Sequence, residues 1–297
     1  MKHPKKSTIV RFRNGATRLF FTYGEYLVPR LAGRLARDLW FAAPPRMADL
    51  PVPPGGESFT VTSQGATIGG QAWGSGDRTV YLMHGWGGRG SQFGALVEPL
   101  TRAGYRAVLF DAPAHGASDP GPGGRRTNGV EFARALDDVF ARFGPADAVI
   151  AHSMGTISTY LALNDGWLGT RRLVFVAPMV EAVSLFNAFQ QALGFGHRTR
   201  RAFDRAVDEF IGLPITEFDA RIQAARTEAR PTLVLTDRGD RQTPYDDVVD
   251  FAQSIGAPLV TTEGLGHRKI LRDPAVVQRI VEFVGGTRDG GELEEIA

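Results

Sequence analysis

Cysteine is absent from the 297-residue sequence. Its absence excludes disulfide bonds, iron–sulfur clusters, thiolate zinc sites and a cysteine nucleophile. No apolar run reaches the roughly 18 residues that a membrane-spanning helix needs, and no internal repeat of roughly 20–50 residues is present. The basic start, Met1–Lys6, is followed by Arg11, Arg13 and Arg18, where a signal peptide would have an apolar stretch. Without a spanning segment or a signal peptide, we expect a soluble, cytoplasmic protein.

The composition is that of a globular protein. Hydrophobic residues make up 43% and charged residues 22%, which argues against wholesale disorder. The length is compatible with one large α/β domain or two small domains. The formal net charge is +2, but residues 1–50 carry ten Lys/Arg and three Asp/Glu, whereas residues 51–297 carry 24 and 29. The basic character therefore belongs to the N-terminal segment.

Residues 1–57 differ from the rest, and we interpret them as a basic helical arm with a linker. Across Ala16–Trp40, interrupted by Pro29, apolar residues recur at helical spacing: Leu19, Phe20, Tyr23, Tyr26, Leu27, Leu31 and Leu35. The linker is rich in proline and glycine: Pro44, Pro45, Pro51, Pro53, Pro54, Gly55 and Gly56.

The arginines of the arm allow two interpretations. Arg30, Arg34 and Arg37 share one helical face. The favoured interpretation is an arm that packs on the main domain and leaves the arginines in solvent. The alternative is a helix pair that makes a weak contact with an anionic membrane surface. A nucleic-acid partner is not expected, because no known motif interleaves the basic residues with aromatic ones.

From residue 58 onwards, strand-like and helix-like segments alternate. The predicted strands are Ser58–Ser63, Ala66–Trp73, Thr79–His84, Arg106–Asp111, Ala146–His152, Leu173–Ala177, Thr232–Thr236 and Pro258–Thr262. Most are short, nearly continuous apolar runs, which is typical of strands buried on both faces. The clearest helices between and after them are Gly129–Phe143, Tyr245–Ile255 and Pro274–Val284. The alternation predicts an α/β fold with a mostly parallel eight-stranded sheet and helices on both faces.

One long segment breaks the alternation. Residues 179–230 have helical character and no evident strand, and a structureless loop of that length is rare in a compact domain. We predict an inserted helical cap at 179–230 between the two core segments, 58–178 and 231–286. The Gly-rich, acidic residues 287–297 are predicted to form a flexible tail.

The pentapeptide Ala151-His152-Ser153-Met154-Gly155 lies between a predicted strand and a predicted helix, Thr156–Asn164. A nucleophile elbow needs this context, because a sharp turn between strand and helix exposes one side chain above the sheet. The usual first glycine is replaced by Ala151. A serine at a helix start is by itself often only an N-cap, so the assignment depends on other residues.

The glycine-rich loop His84-Gly85-Trp86-Gly87-Gly88 follows the first buried strand. Its backbone N–H groups can face a cleft. The N–H groups of Trp86 and Met154 are candidates for an oxyanion hole, whereas His84 is expected to shape the loop.

A base and an acid are then expected downstream of the serine. His267 lies in a glycine-flanked loop after the last predicted strand, and it is the candidate base. Asp237 and Asp240 both follow the strand Thr232–Thr236. The chemistry of the two carboxylates leaves both open as the candidate acid.

These motifs together resemble the α/β-hydrolase fold superfamily, in its bacterial serine esterase and lipase-like branch. The resemblance covers about residues 58–285. It depends on HGWGG at 84–88, the stretch from Asp111 to Ser118, AHSMG at 151–155, LVLTDRGDRQTP at 233–244 and GLGH at 264–267. The resemblance implies that Asp240, with Pro244 four residues later, is the acid. It also implies that His84, Gly85 and Asp111 shape loops rather than react.

The resemblance implies a serine hydrolase with the triad Ser153, Asp240 and His267, and an oxyanion hole at Trp86 and Met154. A carboxylesterase acting on a small-molecule acyl substrate of short to medium chain is the favoured function. The same triad also serves C–C bond hydrolases, thioesterases, amidases and acyltransferases, and a non-catalytic binding protein is a further alternative. No cofactor and no metal ion are implied, and the oligomeric state is left open.

The predicted cap also leaves alternatives open. Its apolar residues either bury the cap or line an acyl pocket: Met179, Val180, Val183, Leu185, Phe186, Phe189, Leu193 and Phe195. The basic residues that follow either form a solvated face or receive an anionic substrate: His197, Arg198, Arg200, Arg201 and Arg205.

Overall fold

The computed structural model describes residues 8–166 and 168–286, so the predicted tail at 287–297 lies outside the described residues. The strands are β1 (Glu57–Ser63), β2 (Ala66–Trp73), β3 (Arg78–Met83), β4 (Tyr105–Phe110), β5 (Ala146–His152), β6 (Thr170–Val176), β7 (Thr232–Asp237) and β8 (Leu259–Thr262). They form one sheet in the order β1-β2-β4-β3-β5-β6-β7-β8. The pairs β1–β2 and β2–β4 are antiparallel, and the remaining neighbours, from β4 through β3 to β8, are parallel. The predicted eight-stranded, mostly parallel sheet is confirmed.

The helices are α1 (Thr8–Leu27), α2 (Pro29–Trp40), α3 (Gly94–Arg102), α4 (Gly129–Phe143), α5 (Gly155–Asn164), α6 (Val183–Leu193), α7 (His197–Ile211), α8 (Ala220–Arg226), α9 (Tyr245–Ser254), α10 (Gly266–Lys269) and α11 (Pro274–Gly285). Among residues 8–166 and 168–286, no helix combines the length and the apolar character that crossing a membrane requires.

Local chemistry explains where these elements begin. Every residue of β5 is buried, which is expected of a central strand with helices on both faces. At the start of α4, the Asn128 side chain accepts hydrogen bonds from the N–H groups of Val130 (2.9 Å) and Glu131 (3.1 Å). At α11, Asp273 does the same for Ala275 and Val276. These caps satisfy backbone donors that the first helical turn leaves unpaired.

The described chain divides into two compact units. The larger comprises residues 43–180 and 219–286, and it contains the sheet. The smaller comprises residues 8–42 and 181–218, and it contains α1, α2, α6 and α7. The N-terminal helices and most of the predicted cap segment therefore belong to one helical unit.

Aromatic rings form the interior of the helical unit. Trp40 contacts Phe186 with ring centroids 4.8 Å apart, Phe186 contacts Phe203 at 4.9 Å, and Phe21 contacts Phe195 at 5.8 Å. Edge-to-face and tilted pairs at such distances add to the stabilisation from burial. These rings come from α1, α2, α6, α7 and their connections, so the two distant segments of the chain stabilise each other.

The buried carboxylate of Glu25 joins α1 to the start of α7. Its oxygens accept hydrogen bonds from the N–H groups of Arg198 and Thr199, both at 2.9 Å. Burial raises the pKa of Glu25, but these hydrogen bonds outweigh burial and the net pKa is lowered. An anion at a helix N-terminus is favourable because the first N–H groups have no partner within the helix.

The N-terminal segment forms the helices α1 and α2, and most of its regularly spaced apolar side chains face solvent. Leu19, Tyr23, Tyr26, Leu27 and Leu31 are all exposed. The face of α1 and α2 that is buried carries mainly small residues and one ring: Phe21, Gly24, Ala32, Gly33 and Ala36. Small residues occupy the contact between α2 and α7 because the two helices approach each other closely. A Cβ on Gly33 would lie 2.6 Å from the backbone of Ala202.

We predict that Gly33→Ala destabilises the protein. The added methyl would meet backbone rather than a mobile side chain, so overpacking should lower the free energy of unfolding by about 1–3 kcal/mol. Gly15→Ala in α1 is the matched control, because no atom lies within 4 Å of its added methyl. The control should be neutral or raise the free energy of unfolding by up to about 1 kcal/mol. Urea unfolding measures both, and equal stability of the two variants would contradict the prediction.

We also predict a pH-dependent gain from Asp137→Asn. Asp137 on α4 is buried, and its Oδ1 has no hydrogen-bond partner. Burial, aided by the nearby charge of Asp165, raises its pKa to about 7. A carboxyl whose pKa is raised on folding destabilises the fold as soon as the pH exceeds its ordinary pKa of about 4, and the penalty grows until the pH passes the raised pKa. Asp137→Asn should therefore raise the free energy of unfolding by about 2–4 kcal/mol at pH 8.5 and by less than about half as much at pH 5, where the folded protein holds the group protonated.

The control for this prediction is Asp138→Asn, the half-buried neighbour on the same helix. It should change the free energy of unfolding by less than about 0.5 kcal/mol at either pH. A gain from Asp137→Asn that is the same at pH 5 and pH 8.5 would show that ionisation of Asp137 is not its cause.

Candidate active site

The predicted site residues follow strands that end at one edge of the sheet. The strands β3, β5, β6, β7 and β8 are adjacent and parallel, so their carboxyl ends lie side by side. Trp86 follows β3, Ser153 follows β5, Asp240 follows β7 and His267 follows β8. The topology thereby gathers residues that are far apart in the sequence.

Ser153 has the backbone conformation of a strained turn. Its φ is +55°, a left-handed value that is uncommon for a non-glycine residue. The surrounding backbone supports it, because its N–H donates to the carbonyl of Val176 (3.1 Å) and its carbonyl accepts from Thr156 N (3.0 Å) and Met179 N (3.1 Å). A Cβ on Gly155 would lie 2.7 Å from the carbonyl oxygen of Met83. A glycine is therefore required where the start of α5 passes the end of the neighbouring strand β3.

His267 and Asp240 form a buried pair. The distance from His267 Nδ1 to Asp240 Oδ2 is 2.7 Å, and the side chains are 7% and 0% exposed. The remaining lone pairs of Asp240 accept from Gln242 N (2.7 Å), Thr243 N (3.2 Å) and Thr243 Oγ1 (2.8 Å). The carboxylate is therefore held in one orientation towards the imidazole.

The hydrogen bonds to Asp240 keep its carboxylate ionised. Burial raises the pKa of this group. The hydrogen bonds from His267 and Gln242 and the charge of His267 lower it by more than burial raises it, so the net pKa is below its ordinary value. An ionised carboxylate beside Nδ1 fixes the tautomer that leaves Nε2 as the free base.

Asp237, the other candidate acid, has a different set of partners. Its Oδ2 accepts from Thr262 Oγ1 and Leu265 N, both at 2.9 Å, and its Oδ1 accepts from Gly239 N at 2.9 Å. It makes no contact with the imidazole of His267 among the described hydrogen bonds. Asp237 instead ties β8 and the loop before His267 to the end of β7.

Two backbone N–H groups near Ser153 are available as oxyanion donors. Within the described residues, neither Trp86 N nor Met154 N donates a hydrogen bond. Gly85 packs directly on the elbow, since a Cβ there would lie 2.7 Å from Ser153 Cβ and 3.1 Å from Met154 N. The close approach brings the loop of Trp86 to the turn that carries Ser153.

The other histidines of the loop region have structural partners. His84 is fully buried, with Nδ1 2.8 Å from the carbonyl of Gly85 and Nε2 accepting from Ala112 N at 2.9 Å. Burial lowers its pKa to about 4, so the ring is neutral. His115 Nε2 accepts from Gly87 N at 3.0 Å. These contacts fix the loop on both sides of Trp86.

Asp111 completes this loop network. Its Oδ1 accepts from Gly90 N and its Oδ2 from Ala117 N, both at 2.7 Å. In the part of the chain that the structure describes, no group of three or more histidine, aspartate or glutamate side chains is placed to hold a metal ion.

A family model described as the alpha/beta hydrolase family matches residues 80–280. This range is more than half of the chain, and it includes Ser153, Asp240 and His267. The chain belongs to the alpha/beta hydrolase family.

Curated relatives of this alpha/beta hydrolase match it over short stretches. A 2-hydroxy-6-oxononadienedioate/2-hydroxy-6-oxononatrienedioate hydrolase of Escherichia coli is 45% identical over 49 residues, which is 16% of this chain and 17% of that protein. The non-heme chloroperoxidase CPO-A1 of Kitasatospora aureofaciens is 34% identical over 113 residues, which is 38% of this chain and 39% of that protein. The chain thus spans less than half the length of these relatives.

Solved structures match over most of the chain. An esterase of Pyrococcus furiosus has a TM-score of 0.63 at 17% identity, covering 82% of this chain and 97% of that one. A membrane phospholipase A has a TM-score of 0.61 at 19% identity, covering 95% of this chain and 100% of that one. At these identities, the likeness shows that the alpha/beta hydrolase fold is shared.

Sequence reasoning missed two residues beside the pair. His152 Nε2 lies 2.7 Å from the carbonyl oxygen of His267, and its Nδ1 lies 3.3 Å from Gln92 Nε2. Burial, with a smaller effect from the adjacent His267, lowers the pKa of His152 to about 3, so the ring is neutral. A neutral ring that accepts from Gln92 and donates to His267 links the elbow to the loop of the base. The position of His152 directly before Ser153 was the available signal.

Proposed function

We propose that this protein is a serine carboxylesterase that hydrolyses short-to-medium acyl esters through an acyl-enzyme. The observation that carries the proposal is the buried contact of 2.7 Å between His267 and Asp240, at the sheet edge where Ser153 occupies a strained turn. Esterases among the solved structures of the same fold support this choice.

In the proposed reaction, the Ser153 oxygen attacks the acyl carbonyl and forms a tetrahedral adduct. His267 Nε2 accepts the serine proton and then delivers it to the departing alkoxide as the ester C–O bond breaks. Asp240 stabilises the imidazolium that forms between these two transfers. Ser153 Oγ has no hydrogen bond to His267 in the described structure, and such contacts often tighten only when substrate is bound.

The negative charge that develops on the substrate oxygen is stabilised by Trp86 N–H and Met154 N–H. Each donor is expected to contribute about 3 kcal/mol to the transition state, and the N-terminus of α5 adds a favourable dipole. Water then attacks the acyl-enzyme. His267 takes its proton and returns it to Ser153 Oγ as the acid is released.

The experiment that tests the proposal is hydrolysis of p-nitrophenyl esters from acetate to palmitate, run beside labelling with a fluorophosphonate probe. Esterase activity with labelling at Ser153 is the expected result, and the preferred ester gives the acyl chain length. Labelling without ester hydrolysis would keep the triad and overturn the carboxylester substrate. Failure of both would overturn catalysis and favour a binding protein on this fold.

A second candidate is hydrolysis of a carbon–carbon bond by the same residues. The short match to a 2-hydroxy-6-oxononadienedioate/2-hydroxy-6-oxononatrienedioate hydrolase favours including a substrate of that class. The same panel should contain an acyl thioester, since a thioesterase domain is among the structural neighbours. The ratio of kcat/KM values for these substrates identifies the reaction.

A further inference from the structure

The first two helices expose an unusual amount of apolar surface. Nearly all large hydrophobic side chains that are exposed in the described part of the chain lie between residues 19 and 39, with Ile222 as the exception. Tyr26 is 70% exposed and Leu27 is 80% exposed. Single exposed apolar residues are ordinary, but a concentrated set marks an interaction surface.

These side chains form one stripe on each helix. In α1, Leu19, Tyr23 and Tyr26 are three or four residues apart, and in α2, Leu31, Leu35 and Leu39 are four apart. Residues at these spacings share a helical face. The opposite face is the one that packs inside the helical unit. We call the exposed large apolar side chains between residues 19 and 39 the apolar stripe.

A basic groove lies beside the stripe on α2. Arg30 and Arg34 of α2 and Arg205 of α7 line it, with Glu209 at the same groove, and its volume is about 270 Å³. All three arginines are exposed, and none of their side chains makes a hydrogen bond or an ion pair with another described residue. Arg34 is three residues from Leu31, so the basic and apolar surfaces are neighbours on α2.

Further unpaired cations extend the groove along α7. Arg198 and Arg201 are exposed on the helix face that carries Arg205, and their side chains also lack partners among the described residues. By contrast, Arg200 is paired with Asp204 at 2.7 Å. The cations that remain unpaired are therefore those that face solvent, where an external anion can reach them.

We infer that this surface binds an anionic phospholipid bilayer, with the apolar stripe in the interfacial region and the arginine groove on lipid phosphates. An amphipathic helix with basic residues beside its apolar face has this property. The two exposed tyrosines suit the same depth, because each ring is apolar and each hydroxyl can remain hydrated.

The arrangement of charge favours lipid over a second copy of the chain. A symmetric dimer through this surface would place the same patch against itself. It would then bring arginines of like charge together next to the stripe. A bilayer that contains anionic lipid offers a hydrocarbon boundary and phosphates together, which matches both parts of the surface.

Cosedimentation of the full-length protein with vesicles tests the inference. The vesicles are phosphatidylcholine alone or phosphatidylcholine mixed with phosphatidylglycerol, at low and high salt. We expect binding only when phosphatidylglycerol is present, and weaker binding at high salt because screening reduces the attraction. Equal binding to the neutral vesicles would overturn the role of the arginines.

Three triple variants separate the two parts of the surface. The groove variant is Arg30→Gln, Arg34→Gln and Arg205→Gln, and the stripe variant is Leu27→Gln, Leu31→Gln and Leu35→Gln. The control variant changes exposed arginines elsewhere: Arg102→Gln, Arg171→Gln and Arg272→Gln. The groove variant should bind roughly 100-fold more weakly than wild type. The stripe variant should lose binding to a similar extent, and the control should retain it within about threefold.

Thermal unfolding of each variant shows whether the fold is retained, and every altered residue is exposed, so we expect little change. A control variant that loses as much binding as the groove variant would overturn a specific site. Absence of vesicle binding, together with a dimer that the stripe variant converts to monomer, would assign the surface to a second copy. Ester hydrolysis in solution does not enter these outcomes, so the proposed function is tested separately.

Discussion

Replacement of Ser153 by alanine is expected to lower kcat for p-nitrophenyl ester hydrolysis by about 10⁵–10⁶-fold. Without the hydroxyl, no acyl-enzyme can form, and the proton that His267 would accept is absent. The oxyanion donors and the binding surface remain, so a residual rate about 10³–10⁴-fold above that in water is expected. KM should change little, because a serine hydroxyl contributes mainly to the transition state.

Ser158→Ala is the matched control for Ser153→Ala. Ser158 is also buried on α5, and its hydroxyl makes only a long bond of 3.4 Å to the carbonyl of Met154. It should retain kcat within about threefold and give a similar melting temperature. Fluorophosphonate labelling should be lost in Ser153→Ala and retained in Ser158→Ala. If Ser153→Ala kept more than a tenth of the activity, Ser153 would not be the nucleophile.

The sheet could be predicted because its strands are short apolar runs. The predicted Ala66–Trp73 and Ala146–His152 have the bounds of β2 and β5, and Gly129–Phe143 has the bounds of α4. Buried strands and a capped amphipathic helix each leave a local signal: continuous apolar residues in one case, and Asn128 before a period of 3.6 in the other. The other six predicted strands differ from the observed ones by at most three residues at either end.

The faces of α1 and α2 could not be predicted by the same reasoning. Apolar spacing identifies a helix. It identifies the buried face only when the apolar side chains pack inside the protein itself rather than against another partner. Here α2 packs closely against α7, so its buried face carries the small residues Ala32, Gly33 and Ala36. The pairing of the N-terminal helices with residues 181–218 is likewise a long-range contact that no local pattern reports.

In the candidate site too, the local sequence predicts one feature, the turn at Ser153, but not how separate loops meet. The elbow sequence predicts a turn at Ser153, and the turn has φ +55°. Whether Asp237 or Asp240 faces His267 depends on how two loops after different strands meet. Their chemistry left both open and the family resemblance implied Asp240, and it is the fold that brings Asp240 to Nδ1 and Asp237 to Thr262.

Exchange of each aspartate for asparagine should separate these two positions. Asp240→Asn is expected to lower kcat by about 10⁴-fold with the fold retained, because an amide can donate to Nδ1 and so favours the wrong imidazole tautomer. It also removes the charge that stabilises the imidazolium. The loss should be in kcat rather than KM, since the change affects the transition state.

Asp237→Asn is expected to act through stability instead. Its carboxylate accepts three hydrogen bonds, from Gly239 N, Thr262 Oγ1 and Leu265 N. An amide oxygen can satisfy only part of this set, and the NH₂ group would face a backbone donor. We expect the free energy of unfolding to fall by about 2–3 kcal/mol, while kcat at a temperature where the protein is folded falls less than about tenfold.

The two measurements must be made together to assign the acid. Low kcat in Asp240→Asn at a temperature where it is folded, and near-wild-type kcat with lowered stability in Asp237→Asn, would identify Asp240 as the partner of His267. If Asp237→Asn lost activity by about 10⁴-fold while Asp240→Asn stayed active, the assignment would be reversed and the 2.7 Å contact of Asp240 would not persist during turnover. A carboxylate that acts on the imidazole lowers the barrier to reaction, whereas one that holds a loop raises the barrier to unfolding, so the pair of variants reports on both.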